Sequence, residues 1–284
     1  MLKHILVPVS GEASGAAAAL CALNLGQKLK AHVTAGYAAV PPRVFTSAIE
    51  GDVAAWDERF YQSLQDIRDG RRKSARRDFD IAVAHTKVPI ATRPLCAQAS
   101  TEWLDGARDD SDPVGELGPL ADLVVLPVPG NRRNSDWDLV ENVLFAARRP
   151  ALVIPQACGE VSFAKPLIAW NGSIQAANAA RAALDLLDDR SQIVVLQVGD
   201  LCAGGISAAR LADNLGWHCF ESRTLNVDDV PHQTGAIILD QARLLGATVI
   251  ILGAYGHSRT RELILGGVTD FLLRQSTLPL LLVH

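Results

Sequence analysis

The same strand-and-helix pattern is written twice in this chain. Ile5-Leu6-Val7-Pro8-Val9-Ser10-Gly11, followed by an alanine-rich stretch, aligns with Leu167-Ile168-Ala169-Trp170-Asn171-Gly172-Ser173 and a second alanine-rich stretch. Further along, Ala121 to Leu126 mirrors Ala247 to Leu252, and each copy closes on an apolar run after a proline, Ala151 to Ile154 and Leu280 to Val283. Continuous apolar runs separated by helical stretches indicate parallel strands buried on both faces, because crossover helices cover both sides of such a sheet. The pattern predicts an α/β fold of two tandem doubly wound parallel-sheet domains, 1–155 and 166–284, joined near Gln156 to Lys165. The chain's 284 residues suffice for two cores of ordinary size.

The copies differ in length. The interval from Ser10 to Pro127 is about 35 residues longer than that from Asn171 to Gly253. The excess lies around Ala54 to His85, where Trp56, Phe60, Leu64 and Ile67 recur at helical spacing and predict a long amphipathic helix or a helix pair. Its basic stretch, Arg71-Arg72-Lys73 with Arg76 and Arg77, is interspersed with Asp66, Asp69, Asp78 and Asp80, and so reads as a solvated helix face.

Charge and composition narrow the function. A formal net charge of −4 gives no general attraction to nucleic acid or to an anionic membrane. The N-terminus runs directly into a strand pattern, and no apolar run reaches the ~18 residues of a membrane helix. The expectation is a soluble cytoplasmic protein. Five cysteines, at 21, 96, 158, 202 and 219, form no CxxC pair and read as reduced small hydrophobes.

The chemistry-bearing feature is a glycine set near the C-terminus. The apolar run Val249 to Leu252 leads into Gly253-Ala254-Tyr255-Gly256, and nine residues later stand Gly266-Gly267-Val268-Thr269. This reads as strand, tight loop and helix start, with backbone amides that a phosphate chain can approach where no Cβ intervenes. A GxxxxGK[ST] loop would need a lysine and a hydroxyl after its last glycine, and a dinucleotide fingerprint would need GxGxxG, and neither is present.

The segment resembles the universal stress protein family, whose ATP-binding members carry glycine, two residues, glycine, nine residues, glycine, then serine or threonine. Gly253, Gly256 and Gly266 match the spacing, and Gly267 stands where the hydroxyl residue is usual. Tandem members of about this length consist of two such domains of the Rossmann-like, adenine nucleotide alpha hydrolase-like fold. The resemblance implies ATP, with magnesium, as the ligand of the second half. Asn171 corresponds to the family's ribose-binding aspartate, with Ala169 on the same strand. Val198 corresponds to the valine against adenine, and Gly253, Gly256, Gly266, Gly267, Val268 and Thr269 lie on the phosphate side. It also implies that the closing strands pair within the chain as a pseudo-dimer, with a homodimer as a further level of association. The first half resembles a degenerate copy: Ser10 replaces the aspartate, Pro127 replaces the first glycine, and Gly130 has no later glycine pair.

Several residues have two readings. Thr269 either supplies the hydroxyl missing at 267 or caps the following helix, and Ser173 either contacts a ligand or caps its own helix. His257, Arg259 and Arg261 are read as solvated, and Asp270 as an acid placed by the helix dipole. The sequence shows no HExxH, no GxSxG and no cysteine–histidine signature, so a dedicated enzyme is disfavoured against a nucleotide-binding stress-response protein. A nucleotide-free adaptor of the same fold and a slow ATPase or adenylating enzyme are the other readings.

Overall fold

A computed structural model describes residues 2–12, 15–38, 58–95, 97–104, 113–129, 135–202, 204–254 and 266–284. The first half contains β1 (His4–Val9), α1 (Gly15–Leu29), β2 (His32–Tyr37), α2 (Glu58–Thr86), β3 (Ser100–Leu104), α3 (Pro113–Leu117), β4 (Leu123–Pro127), α4 (Ser135–Asn142) and β5 (Ala151–Ile154). The second contains β6 (Pro166–Trp170), α5 (Ile174–Ala183), β7 (Ile193–Val198), α6 (Ala208–Trp217), β8 (Ser222–Val227), α7 (Thr234–Leu244), β9 (Val249–Gly253), α8 (Gly267–Gln275) and β10 (Leu280–Val283).

All ten strands form one sheet, in the order β3-β2-β1-β4-β5-β10-β9-β6-β7-β8. Read outward from the centre, the two halves follow the same doubly wound order. Every pairing between neighbours is parallel except that of β5 with β10, which run antiparallel with Leu281 opposite Leu152. The closing strands therefore pair within the chain, as the family resemblance implies. Each covers the other's backbone edge, which would otherwise present unpaired amides and carbonyls.

Strand alternation sorts side chains between two apolar layers. Ile5, Val7 and Val9 face a layer with α1, α2, α5 and α6, whereas Leu6, Val124 and Val153 face a layer with α3, α4, α7 and α8. Helices on both faces complete the α/β arrangement. The connecting segment packs onto the first layer through the buried Val161 and Phe163, and Asn24 Nδ2 donates to the Gly159 carbonyl at 3.0 Å.

The long excess of the first half is one helix, α2, of 29 residues. At 1.5 Å per residue it is about 43 Å long, roughly twice a strand of this sheet. The buried face differs from expectation. Phe60 and Trp56 fall outside the residues whose side chains are described, Leu64 is half-buried and Ile67 is exposed. The helix is anchored instead by Ala75, Phe79 and Ala82 in its second half, because only that part lies against the sheet. The four described cysteines are free thiols: Cys21 is buried, with its thiol pKa raised by burial, Cys158 and Cys202 are half-buried and Cys219 is exposed. Cys96 lies outside the described residues.

Candidate functional site

In the second half the chain proceeds from β6 to β7 to β8 in one direction and then returns to place β9 on the other side of β6. Such a reversal opens a crevice at the carboxyl ends of the two diverging strands, where open α/β sheets bind ligands. Asn171 follows directly on β6, Val198 ends β7 and Gly253 ends β9, and all three strands are parallel neighbours. Ala169 is half-buried in β6, between Leu196 and Leu252. The topology thus brings these residues and the start of α8 to one edge. Gly256, with Tyr255, His257, Arg259 and Arg261, lies outside the described residues.

The turn after β6 is fixed by its own polar groups. Asn171 Oδ1 accepts from the Ser173 backbone N–H at 3.1 Å and from Ser173 Oγ at 2.7 Å, and Ser173 Oγ in turn accepts from the Ala176 N–H at 3.2 Å. Ser173 is the N-cap of α5. The backbone donor also fixes the amide orientation, since only the oxygen can accept from it, so Asn171 Nδ2 is the group left to donate outward. Gly172 has φ +77, and a Cβ there would stand 2.8 Å from the Ile206 backbone. The loop after β7 closes down on this turn through Cys202 N–H to the Asn171 carbonyl (3.0 Å) and Ile206 N–H to the Gly172 carbonyl (3.1 Å).

The glycines of the set do different work. A Cβ on Gly253 would lie 2.5 Å from the Ala176 nitrogen and 2.5 Å from the Gln175 carbonyl carbon, so this glycine lets the first turn of α5 press onto the end of β9. Gly266 and Gly267 are the opposite case: both are exposed, and a Cβ on either would meet no atom of the described residues within 4 Å. Gly266 is the N-cap of α8 and makes no side-chain cap hydrogen bond. The amides of the first turn of α8 therefore stand clear of the other described residues, at the positive end of the helix dipole.

Thr269 does not cap α8. It stands at the third helical position with its side chain buried, while Val268 is half-buried against the α7–α8 layer. Asp270 is tied to Arg274 one turn later, at 2.9 Å, and the Arg274 guanidinium lies 4.8 Å from the centre of the Trp137 ring of the first half.

The same edge of the first half is filled by the chain itself. Ser10, at the position of Asn171, is buried and donates from Oγ to Asp136 Oδ1 in the first turn of α4. Asp136 has no solvent exposure, so a carboxylate of the chain sits where α8 in the second half begins with bare glycines. Gly11, with φ +79, passes directly under the Arg71 carbonyl of α2, and Arg71 pairs with Glu12 at 2.9 Å. At the place of Val198 stands Tyr37, half-buried, whose phenol pKa is raised by burial against the opposing pull of Arg71, Arg68 and Arg72. The sequence signal for Asp136 was weak, because only the crossover from β4 to α4 brings it to Ser10. Among the described residues no group of three or more His, Cys, Asp or Glu is placed to hold a metal ion.

Residues 224–284 match the model of the universal stress protein family, a span that takes in most of β8 and all of β9, α8 and β10. This segment is universal stress protein sequence. Around it, the whole chain has the universal stress protein fold. It superposes on a universal stress protein from Archaeoglobus fulgidus DSM 4304 with a TM-score of 0.62 and 15% identity, over 99% of this chain and 95% of the other. It superposes on a functionally unknown protein from Pseudomonas aeruginosa PAO1 with a TM-score of 0.50 and 15% identity, over 99% of this chain and 92% of the other. No curated protein matches the sequence. No helix among the described residues is long and apolar enough to cross a membrane.

Proposed function

We propose that the second half, residues 166–284, binds ATP with magnesium at the carboxyl edge between β6 and β9, and that the chain is a cytoplasmic nucleotide-binding stress-response protein. The observation that carries this reading is the start of α8: two exposed glycines, no side-chain cap, and no atom of the described residues within 4 Å of where each Cβ would be. A phosphate chain there accepts from the first-turn amides and meets the positive end of the helix dipole. The capped start of α5, pressed against Gly253, adds a second dipole to the same edge. Asn171 Nδ2 faces the ribose as a donor, while Ala169 and Val198 give the base an apolar wall.

The first half, residues 1–155, serves as the structural partner. Its crevice already holds the Asp136 carboxylate, which repels a phosphate and occupies its place, while α2 covers Gly11. The described residues of the second site supply donors and apolar surface, which suits the holding of a nucleotide. Thermal melting with millimolar ATP and magnesium tests the reading. A ligand that binds only the native state stabilises it by RT ln(1 + [L]/Kd), about 2.7 kcal/mol at a hundredfold excess over Kd. A melting temperature that does not move would instead assign the chain to the nucleotide-free adaptors of this fold.

A further inference from the structure

The two halves differ in how their crossover helices meet the sheet. In the first half α1 and α2 pack together along the face, with Phe79 and Ala82 of α2 in the same buried layer as Ala18 and Ala22 of α1. In the second half α6 has only ten residues and stands apart from α5. Between them lies a cavity of about 300 Å³. It has the size of a small-molecule site, at the lower end of the usual range.

Its chemistry is specific. The floor is Trp170, almost fully buried and held by its Nε1 donation to the Ile206 carbonyl at 2.7 Å. Small side chains, Ala177 and Ala180, form the α5 wall, and Leu211 and Leu215 form the α6 wall. Two exposed apolar side chains, Ile206 at 49% and Trp217 at 80% exposure, also line it. Arg181 on α5 and Arg210 on α6 line the same cavity from opposite walls. Neither guanidinium has an ion pair or a side-chain hydrogen-bond partner among the described residues. An apolar trough with two cations that lack carboxylates is complementary to one class of molecule.

We propose that the α5–α6 groove binds an amphiphilic carboxylate, with its hydrocarbon body on Trp170 and between the helices, and its carboxylate shared by Arg181 and Arg210. Guanidinium–carboxylate pairs are short, charge-assisted and often bidentate, so the head group sets the register while the chain fills the volume. A saturated chain of about ten carbons suits a cavity of this size. The groove runs along the helices on one face of the sheet and meets the turn after β6 at Ile206, whose N–H donates to the Gly172 carbonyl.

The test is titration of the full chain with sodium decanoate below its micelle concentration, read by tryptophan fluorescence, with decanol as the uncharged control. A saturable blue shift is expected, lost in Trp217→Phe if that residue is the reporter. Decanol is expected to bind at least tenfold more weakly. The Arg181→Ala/Arg210→Ala pair is expected to weaken decanoate tenfold or more without changing the melting temperature, because neither guanidinium has a side-chain partner among the described residues. A response that never saturates, equal affinity for decanol, or an unchanged affinity in the double variant would each overturn the proposal. So would a concentration-dependent dimer in sedimentation that is broken by Trp217→Glu and insensitive to decanoate, since the groove would then belong to a second copy of the chain.

Discussion

Two glycines of one motif should respond to the same substitution in opposite ways. In Gly253→Ala the new methyl group would lie 2.5 Å from two backbone atoms of the first turn of α5, the Ala176 nitrogen and the Gln175 carbonyl carbon. Ordinary contact between such atoms is about 3.5 Å, so helix or strand must move by about 1 Å. Neither moves easily, because the α5 turn is tied by the Ser173 cap and β9 is paired on both sides. Overpacking of this kind costs about 1–3 kcal/mol, and the backbone nature of the contact places Gly253→Ala at the upper end. For a chain of this size that is a fall of roughly 5–10 °C in melting temperature. Gly267→Ala adds its methyl group to open space at the first helical position and should stabilise the apo protein by about 0.5 kcal/mol, through a less flexible unfolded chain. Scanning calorimetry of both variants, with and without ATP, separates the roles: Gly253→Ala loses stability in both conditions, whereas Gly267→Ala loses only the stabilisation by nucleotide. Wild-type melting of Gly253→Ala, or equal destabilisation by the two changes, would refute the assignment of packing to one glycine and ligand approach to the other.

Two further outcomes follow from the first half. Asp136→Ala removes the buried acceptor of Ser10 Oγ and should cost about 1–3 kcal/mol in urea unfolding, while leaving nucleotide affinity unchanged; an affinity change beyond twofold or so would mean that the halves are coupled. Burial, reinforced by His32, holds the His4 imidazole pKa below its ordinary value, against the opposing pull of Asp122, a Leu120 backbone hydrogen bond and Glu102. The unfolded chain therefore takes up a proton that the native state refuses, so stability should fall as pH drops below about 6.5 and level off once the lowered pKa is passed. Urea melts between about pH 7.5 and about 5.5 should show a shallower slope for His4→Gln, and an unchanged slope would exclude His4 as its source.

The strands of this protein were legible because burial on both faces leaves uninterrupted apolar runs, and β1, β4, β5, β6, β9 and β10 all fall on such runs. Pairing of the two closing strands came from the family resemblance, and their wholly buried apolar positions suit it. The buried face of α2 was not legible, because Ile67 is exposed and Leu64 only half-buried while Ala75, Phe79 and Ala82 enter the core, and only the fold says which turns of the helix meet it. Glycine spacing marked Gly253 and Gly266 alike. Their difference, one against a helix backbone and the other beside nothing, is a matter of tertiary placement. Ser10 drew notice as a missing aspartate, yet its partner Asp136 stands 126 residues away in the sequence and is brought to it only by the fold. The α5–α6 groove was invisible in sequence, because it exists only through the shortness of α6 relative to α2.

Calorimetric titration of the full chain with ATP and magnesium, followed by the same titration of Gly266→Val, tests the central claim most directly. One nucleotide per chain is expected for the wild type, because the second half offers open glycines at α8 while the first half fills its crevice with Asp136, and none is expected for Gly266→Val, whose side chain would enter the phosphate approach. Absence of binding to the wild type, two nucleotides per chain, or full binding by Gly266→Val would contradict it.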